Sequence, residues 1–189
     1  MTDEELMLAI CNGDESAFHT IVRTHHKPLS HYAFRILGSK KDTEDITQET
    51  FLRLWINADK WQPGKSKLST WLHRIAHNLC IDYLRKKDNA ETEELDDHAV
   101  AGAENNTKLE QSSELERLNK ALGGLPDNQK NALVLCHYQG FSNKEAAAIM
   151  GVSVKAVESS IARAKRSLRK QLASSITDNN KNPKTRAEL

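Results

Sequence analysis

Apolar residues in this chain recur at three- and four-residue spacings, and no stretch sustains the strict alternation of a half-buried strand. The pattern predicts an all-α protein. Thr2 and Glu5 stand at capping-box spacing ahead of a first short helix that should stop near Asn12 and Gly13. Asp14 can cap the next, which carries Phe18, Ile21, Val22, Tyr32, Ile36 and Leu37; Pro28 is expected to kink or break it and Gly38 to end it. A third helix, about Thr43 to Ala58, presents Ile46, Phe51, Leu54 and Trp55. After a Pro-Gly loop over Trp61 to Lys67, Ser69 or Thr70 is placed to cap a long helix to about Lys87. On its wheel Leu68, Trp71, Leu72, Ile75, Leu79 and Tyr83 share one face, expected to be core, while His73, His77, Cys80 and Leu84 lie on the other.

The periodicity then lapses. Residues 88–113 are acidic and nearly free of large apolar side chains, so they bury too little to offset ordering entropy and read as a flexible tether. It returns at Glu114. Leu115, Leu118 and Leu122 predict a helix closed by Gly123-Gly124, and Ala132, Leu133, Leu135 and Cys136 another from Asp127 to about Tyr138. Ser142-Asn143-Lys144-Glu145 is a second capping box, opening a short alanine-rich helix to Met150; Gly151-Val152-Ser153 makes a tight turn with a new N-cap, and a helix of about twenty residues follows. Two helices joined by a three-residue, glycine-containing turn form a helix-turn-helix. In the second of them Val157, Ile161, Ala164, Leu168 and Leu172 form one apolar stripe, and the opposite face carries Lys155, Ser159, Ala162, Arg163, Arg166 and Lys170. Side chains early in a recognition helix reach base edges and later cations meet phosphates. Lys155, Glu158, Ser159 and Ala162 are therefore candidate base readers, and Arg163, Arg166, Arg169 and Lys170 candidate backbone contacts. The polar tail from Ser174, with Pro183, is expected to be disordered.

Charge sharpens this division. Residues 1–87 carry 13 Lys and Arg against 11 Asp and Glu, residues 88–116 carry 1 against 10, and residues 117–189 carry 13 against 5. An overall charge of +1 thus conceals regional values of +2, −9 and +8. A cationic C-terminal module beside an anionic tether fits nucleic-acid binding, and the two opposite charges are expected to attract in the free chain and weaken that binding. No apolar run exceeds six residues, against about twenty needed to span a bilayer, and the acidic N-terminus has no secretory pattern. A cytoplasmic protein is expected. Three widely spaced cysteines suggest reduced thiols; Cys11 and Cys136, among apolar neighbours, read as small core residues.

Two N-terminal segments carry a family resemblance. Asp42-Thr43-Glu44-Asp45-Ile46-Thr47-Gln48-Glu49-Thr50-Phe51-Leu52-Arg53-Leu54-Trp55 resembles the second conserved region of bacterial sigma factors. Residues 68–85, Leu-Ser-Thr-Trp-Leu-His-Arg-Ile-Ala-His-Asn-Leu-Cys-Ile-Asp-Tyr-Leu-Arg, look like the promoter-melting segment that follows it, and the helix-turn-helix resembles the fourth region. With neither first nor third region, the chain looks like the compact extracytoplasmic-function (ECF) class. The resemblance implies two small helical domains, residues 1–87 and 114–173, joined by an acidic linker over 88–113.

It also implies partners. Asp45, Gln48, Glu49 and Leu52 would meet the β′ clamp helices of core RNA polymerase, and the C-terminal domain its β flap and the minus-35 element. The loop Trp61 to Ser69 would cradle a flipped minus-10 base, with Gln62, Ser66 and Ser69 as edge readers and Lys65 and Lys67 on phosphates; Trp71, Arg74, His77, Asn78, Arg85 and Lys86 would extend the track. Trp71 is expected to be mostly buried with one edge exposed. Many relatives have arginine where this chain has Glu158, so a guanine contact is lost and a cytosine amino contact becomes available. An anti-sigma partner is implied, and no cofactor.

Other chemistry finds little support. His73, His77 and Cys80 lie at i, i+4 and i+7 on one helix, short of a fourth ligand, so no metal is assigned. Phosphate loops, nucleophile elbows and metalloprotease motifs are missing from the sequence, which argues against an intrinsic enzyme. The competing reading is a conventional helix-turn-helix regulator with an N-terminal ligand or dimerisation domain.

Overall fold

The computed structural model describes residues 1–93 and 112–179. They form eight α-helices and no strand: α1 (Asp3–Cys11), α2 (Glu15–Leu37), α3 (Lys40–Ile56), α4 (Leu68–Glu93), α5 (Ser112–Gly123), α6 (Asp127–Leu133), α7 (Asn143–Met150) and α8 (Val154–Asn179). A 3-10 turn, Ala58–Lys60, follows α3, and a π-helical turn, Val134–Tyr138, follows α6. The starts of α1, α2 and α7 are those the capping residues predict. Thr2 and Glu5 close a reciprocal box on α1, Asp14 accepts from the Ser16 and Ala17 amides, and Ser142 with Glu145 repeats the box on α7. Gly38 and Gly151 end α2 and α7 in the left-handed conformation that a side chain resists.

In the N-terminal half α2 packs on α1, α3 and α4, and α3 on α4. Leu29, Leu54, Leu68 and Leu72 are fully buried at its centre, each contributing about 1.5–3 kcal/mol of burial. Thr43, Thr47 and Thr50 also lie inside; each hydroxyl donates to the carbonyl four residues back, so no hydroxyl is left bare. In the C-terminal half α5, α6 and α7 pack on α8. Leu122, Leu125, Leu133 and Ala164 make a small cluster there, with Leu118 and Leu168 against it. The remaining apolar residues of that half, including Leu135, Ala146, Ala147, Ile149 and Val157, join the N-terminal core, because α7 lies along α4.

Several expectations need correction. Pro28 sits inside an unbroken α2; the lost backbone bond is offset by flanking residues, Leu29, Tyr32 and Ala33, that are buried. α3 begins at Lys40, after a Ser39 cap and three residues before Thr43, and ends at Ile56. α4 begins at Leu68, so Ser69 and Thr70 fall inside its first turn and do not cap it, and the buried Thr70 hydroxyl has no partner. At its other end α4 passes Lys87 to Glu93, so the first residues of the expected tether are helical; residues 94–111 lie outside the described residues. α8 likewise enters the tail expected to begin at Ser174, and residues 180–189 lie outside the described residues. Cys11 is exposed, not core, because the last turn of α1 points it to solvent, while Cys136 is half-buried. The face of α4 set apart from the core is buried too: His73, His77 and Cys80 are covered by the C-terminal half. Helical periodicity shows a helix's faces but not which neighbour will cover the second one.

Candidate nucleic-acid interface

The outer face of α3 presents Asp45, Gln48 and Leu52 to solvent. Their spacing puts them on one side of the helix because Thr43, Ile46, Thr47, Thr50 and Leu54 face inward. Glu49 is half-buried, and its Oε1 accepts from Arg53 Nε at 2.9 Å, so a partner must draw it from that bond. Leu52 (51% exposed) continues into Trp55 (36%) and Ile56 (64%), giving an apolar strip beside the acids. The Trp55 ring stands edge-on to Phe18 at 5.2 Å, half covered. Sequence reading found the acid and amide row but not the strip, which the exposed i, i+3, i+4 spacing of 52, 55 and 56 would have revealed.

The loop between the 3-10 turn and α4 is anchored from within. Trp61 is buried, its indole N–H unpartnered, while Gln62, Lys65 and Lys67 point outward and Ser66 and Ser69 are partly covered. Trp61, Lys65, Ser66 and Lys67 edge a cleft of about 610 Å³ whose far wall is the N-terminus of α7, with Ser142, Lys144 and Glu145; Gln62 and Ser69 lie outside its lining. Lys67 Nζ meets Glu145 Oε1 across it at 2.9 Å. Along α4, Arg74, Asn78, Arg85 and Lys86 are exposed and Trp71 is partly covered. Asn78, Arg85, Arg53 and Asn128 line a polar groove of about 440 Å³. His77 does not join the exposed row.

The buried histidines hold neutral, committed rings. Asn131 Nδ2 donates to the Asp127 carbonyl at 2.8 Å, which turns its Oδ1 toward Tyr32; the Tyr32 hydroxyl donates to that oxygen at 2.9 Å. With its one proton spent, the phenol oxygen can only accept from His77, so Nδ1 of His77 carries the hydrogen over 2.9 Å. His73 Nδ1 donates to the Ser69 carbonyl at 2.8 Å, and its ring stands edge-on to Phe141 at 4.7 Å. The Gln139 side chain lies close enough to His73 Nε2 to oppose the effect of burial, yet forms no well-aligned hydrogen bond to it. Burial holds both imidazoles down to about 4, and pushes the Cys80 thiol up to about 12, so no thiolate forms there at neutral pH. Among the described residues no group of three His, Cys, Asp or Glu is placed to hold a metal.

The helix-turn-helix presents an unobstructed reading face. Val157, Ile161 and Ala164 are buried, Leu168 and Leu172 partly so, and Lys155, Glu158, Ser159, Ala162, Arg163, Arg166, Arg169 and Lys170 are all exposed. Ser153 Oγ accepts from the Ala156 amide, fixing where α8 starts and hence which residues lead into a groove.

Sequence and fold comparisons agree with this geometry. Residues 21–90 match Sigma-70 region 2, and residues 115–168 match Sigma-70 region 4. The chain is 34% identical over 174 residues to the ECF RNA polymerase sigma factor SigW of Bacillus subtilis, covering 85% of this chain and 91% of that one. The chain belongs to the ECF class of sigma factors. It is also 36% identical over 168 residues to SigE of Mycolicibacterium smegmatis, covering 85% of this chain and 65% of that protein. Among solved structures, CnrH in complex with the cytosolic domain of CnrY superimposes with a TM-score of 0.69 at 30% identity, covering 91% of this chain and 97% of that one. RpoE of Bartonella quintana, in complex with the anti-sigma factor NepR, gives 0.68 at 26% identity, covering 82% and 96%. As an ECF sigma factor the chain is an alternative promoter-recognition subunit of RNA polymerase. Residues 21–90, the part that the competing reading gives to a ligand or dimerisation domain, match Sigma-70 region 2 instead.

Proposed function

We propose that this sigma factor grips core polymerase with α3 and reads a bipartite promoter with its two halves. The supporting observation is that both conserved regions occur in order on one chain, each with its outward face composed for its partner. On α3, Asp45, Gln48 and Glu49 supply charge and hydrogen bonds to the β′ clamp helices, and Leu52 supplies apolar contact. The cleft loop, with Gln62, Lys65, Lys67 and Ser69, and the α4 row of Trp71, Arg74, Asn78 and Arg85, take the minus-10 strand; stacking and phosphate contacts worth ~1–3 kcal/mol per base offset its unstacking. His77 enters this set only when the two halves part.

On α8, Lys155, Glu158, Ser159 and Ala162 face the bases of the minus-35 element and Arg163, Arg166 and Lys170 its phosphates. Glu158 accepts a hydrogen bond from a cytosine amino group. The chemistry of RNA synthesis stays with the polymerase, in the cytoplasm, and the chain adds no catalytic group. Of the two structurally similar sigma factors, CnrH is seen with the cytosolic domain of CnrY and RpoE with the anti-sigma factor NepR, and an anti-sigma factor restrains this chain as NepR's class implies. Run-off transcription from a genomic fragment library with purified core enzyme tests the whole: transcripts that depend on this chain and share two unlike elements are expected. Occupancy of a symmetric operator by the chain alone, with no transcripts, would overturn it.

A further inference from the structure

The two halves do not meet at random. α7 lies along α4 and buries Ala146, Ala147 and Ile149 in one continuous core with Leu72, Ala76 and Cys80. Tyr32 is wholly buried, and its hydroxyl ties His77 of its own half to Asn131 of the other. Phe141, just before α7, packs on His73, and the Arg35 guanidinium stands 3.8 Å over the Tyr138 ring. At the mouth of the loop cleft the Glu145 carboxylate holds the Lys67 ammonium, the group assigned above to a phosphate of the minus-10 strand.

We infer that the helix-turn-helix half is an intramolecular lid on the minus-10 cleft, with Glu145 standing in for a promoter phosphate on Lys67 and Asn131 hooking the Tyr32 hydroxyl. This rests on the assignment of the cleft loop to the minus-10 strand. Three features make the contact a lid. It places a carboxylate where the nucleic acid must bring its own anion, so strand and lid compete for one cation. It covers the α4 face that carries His77. It leaves the reading face of α8 exposed, so the closed form blocks one promoter element and not the other.

The hold is polar at the rim and apolar beneath. Lys67 and Glu145 are 76% and 25% exposed, and a pair so open to water contributes little of its own. Most of the closure comes from the small alanine face of α7 and the buried hydrogen-bonded chain. Both can be given up when a larger polymerase surface draws the halves apart. The capping box of α7 positions Glu145 for this contact: its other oxygen accepts from the Ser142 amide at 2.9 Å, which aims the carboxylate across the cleft. That backbone bond, then the lysine, holds its carboxyl below the usual range.

Zero-length carbodiimide coupling of the full chain, followed by peptide mass spectrometry, tests the contact directly. A Lys67–Glu145 isopeptide is expected in the free chain and should fade when core polymerase is added. The effect on binding is read by anisotropy with a dye-labelled mixed-sequence 12-nucleotide single strand. Y32F and N131A, neither of which changes charge, are expected to bind it about fivefold more tightly, the loss of one buried hydrogen bond. Coupled peptide in the free chain together with a gain in either variant upholds the lid. Absence of that peptide, or no gain in both variants, overturns it. Loss of wild-type run-off transcription would instead strike the sigma-factor assignment of the cleft, since the coupling result does not depend on it.

Discussion

The two halves of this sigma factor solve the problem of burial differently. The N-terminal half encloses its own core, with Leu29, Leu54, Leu68 and Leu72 fully buried and threonines back-bonded inside α3. The C-terminal half divides its apolar residues between a private cluster of Leu122, Leu125, Leu133 and Ala164 and a set shared with its neighbour. A module that keeps little core for itself can exchange one docking partner for another. One that closes on itself presents fixed surfaces, as the proposed polymerase grip on α3 requires.

Core substitutions should break this contrast most sharply. Leu72→Ala removes a fully buried side chain from the N-terminal core, on which the C-terminal half also packs, and is expected to cost about 3–4 kcal/mol, lowering the unfolding midpoints of both halves. Leu122→Ala, in the private cluster, is expected to cost about 2–3 kcal/mol and to lower the second half alone. Urea unfolding followed by hydrogen exchange, which resolves the halves, checks both. Equal losses in the two halves for Leu122→Ala would show that the private cluster is not private.

The seam should also respond to acid. His73 and His77 are held to about 4 against an ordinary value of 6.5, so between these pH values a solvated imidazole binds a proton that the buried one refuses. Stability is therefore full above about pH 6.5, falls as pH drops towards 4, and loses nothing more from these groups below that; each ring accounts for at most on the order of 3 kcal/mol. The groups around them are His25, Lys67, Gln139 and Glu145 near His73, and Arg53, Asp82 and Arg85 near His77. The carboxylate near His73, Glu145, is taken up by Lys67 and the Ser142 amide. Urea melts from pH 7 to 4.5 should show the fall, and His77→Gln, which keeps a donor for Tyr32, should halve it.

Much of this was legible in the sequence. Both capping boxes, the Asp14 cap and the tight turn at Gly151 stand where local chemistry puts them, and the apolar stripe of α8 predicted its exposed cationic face residue by residue. The failures share a cause. His73, His77 and Cys80 occupy a helix face that only a distant segment covers, and Asn131 reaches Tyr32 across 99 residues. Periodicity records that a face exists; it carries no information about a partner so far along the chain. Pro28 misled for a similar reason, since tertiary packing there outweighed the local preference.

On the exposed face of α8, where no seam interferes, effects should be smaller and separable. Arg166→Ala is expected to weaken duplex binding uniformly across sequences and reduce the slope of log affinity against log salt by about 1. Glu158→Ala should instead reorder substituted minus-35 sequences, by about 1–3 kcal/mol at one base pair, with little change in salt slope. An unchanged ranking would remove Glu158 from the reading set.

The smallest stability effect is expected on α3, and it separates surface from fold most cleanly. Glu49 and Arg53 are an exposed i, i+4 pair with side chains 41% and 46% exposed, so Arg53→Ala should change unfolding free energy by no more than about 0.5 kcal/mol. The same change frees the Glu49 carboxylate for a basic partner. If α3 is the polymerase grip, Arg53→Ala competes for core enzyme at least as well as the parent chain, whereas Glu49→Gln, which also breaks the pair without harming the helix, competes less well. Were both substitutions to weaken competition equally, Arg53 itself would be touching the polymerase, and the docking face would extend around the helix towards the groove it shares with Asn78 and Arg85.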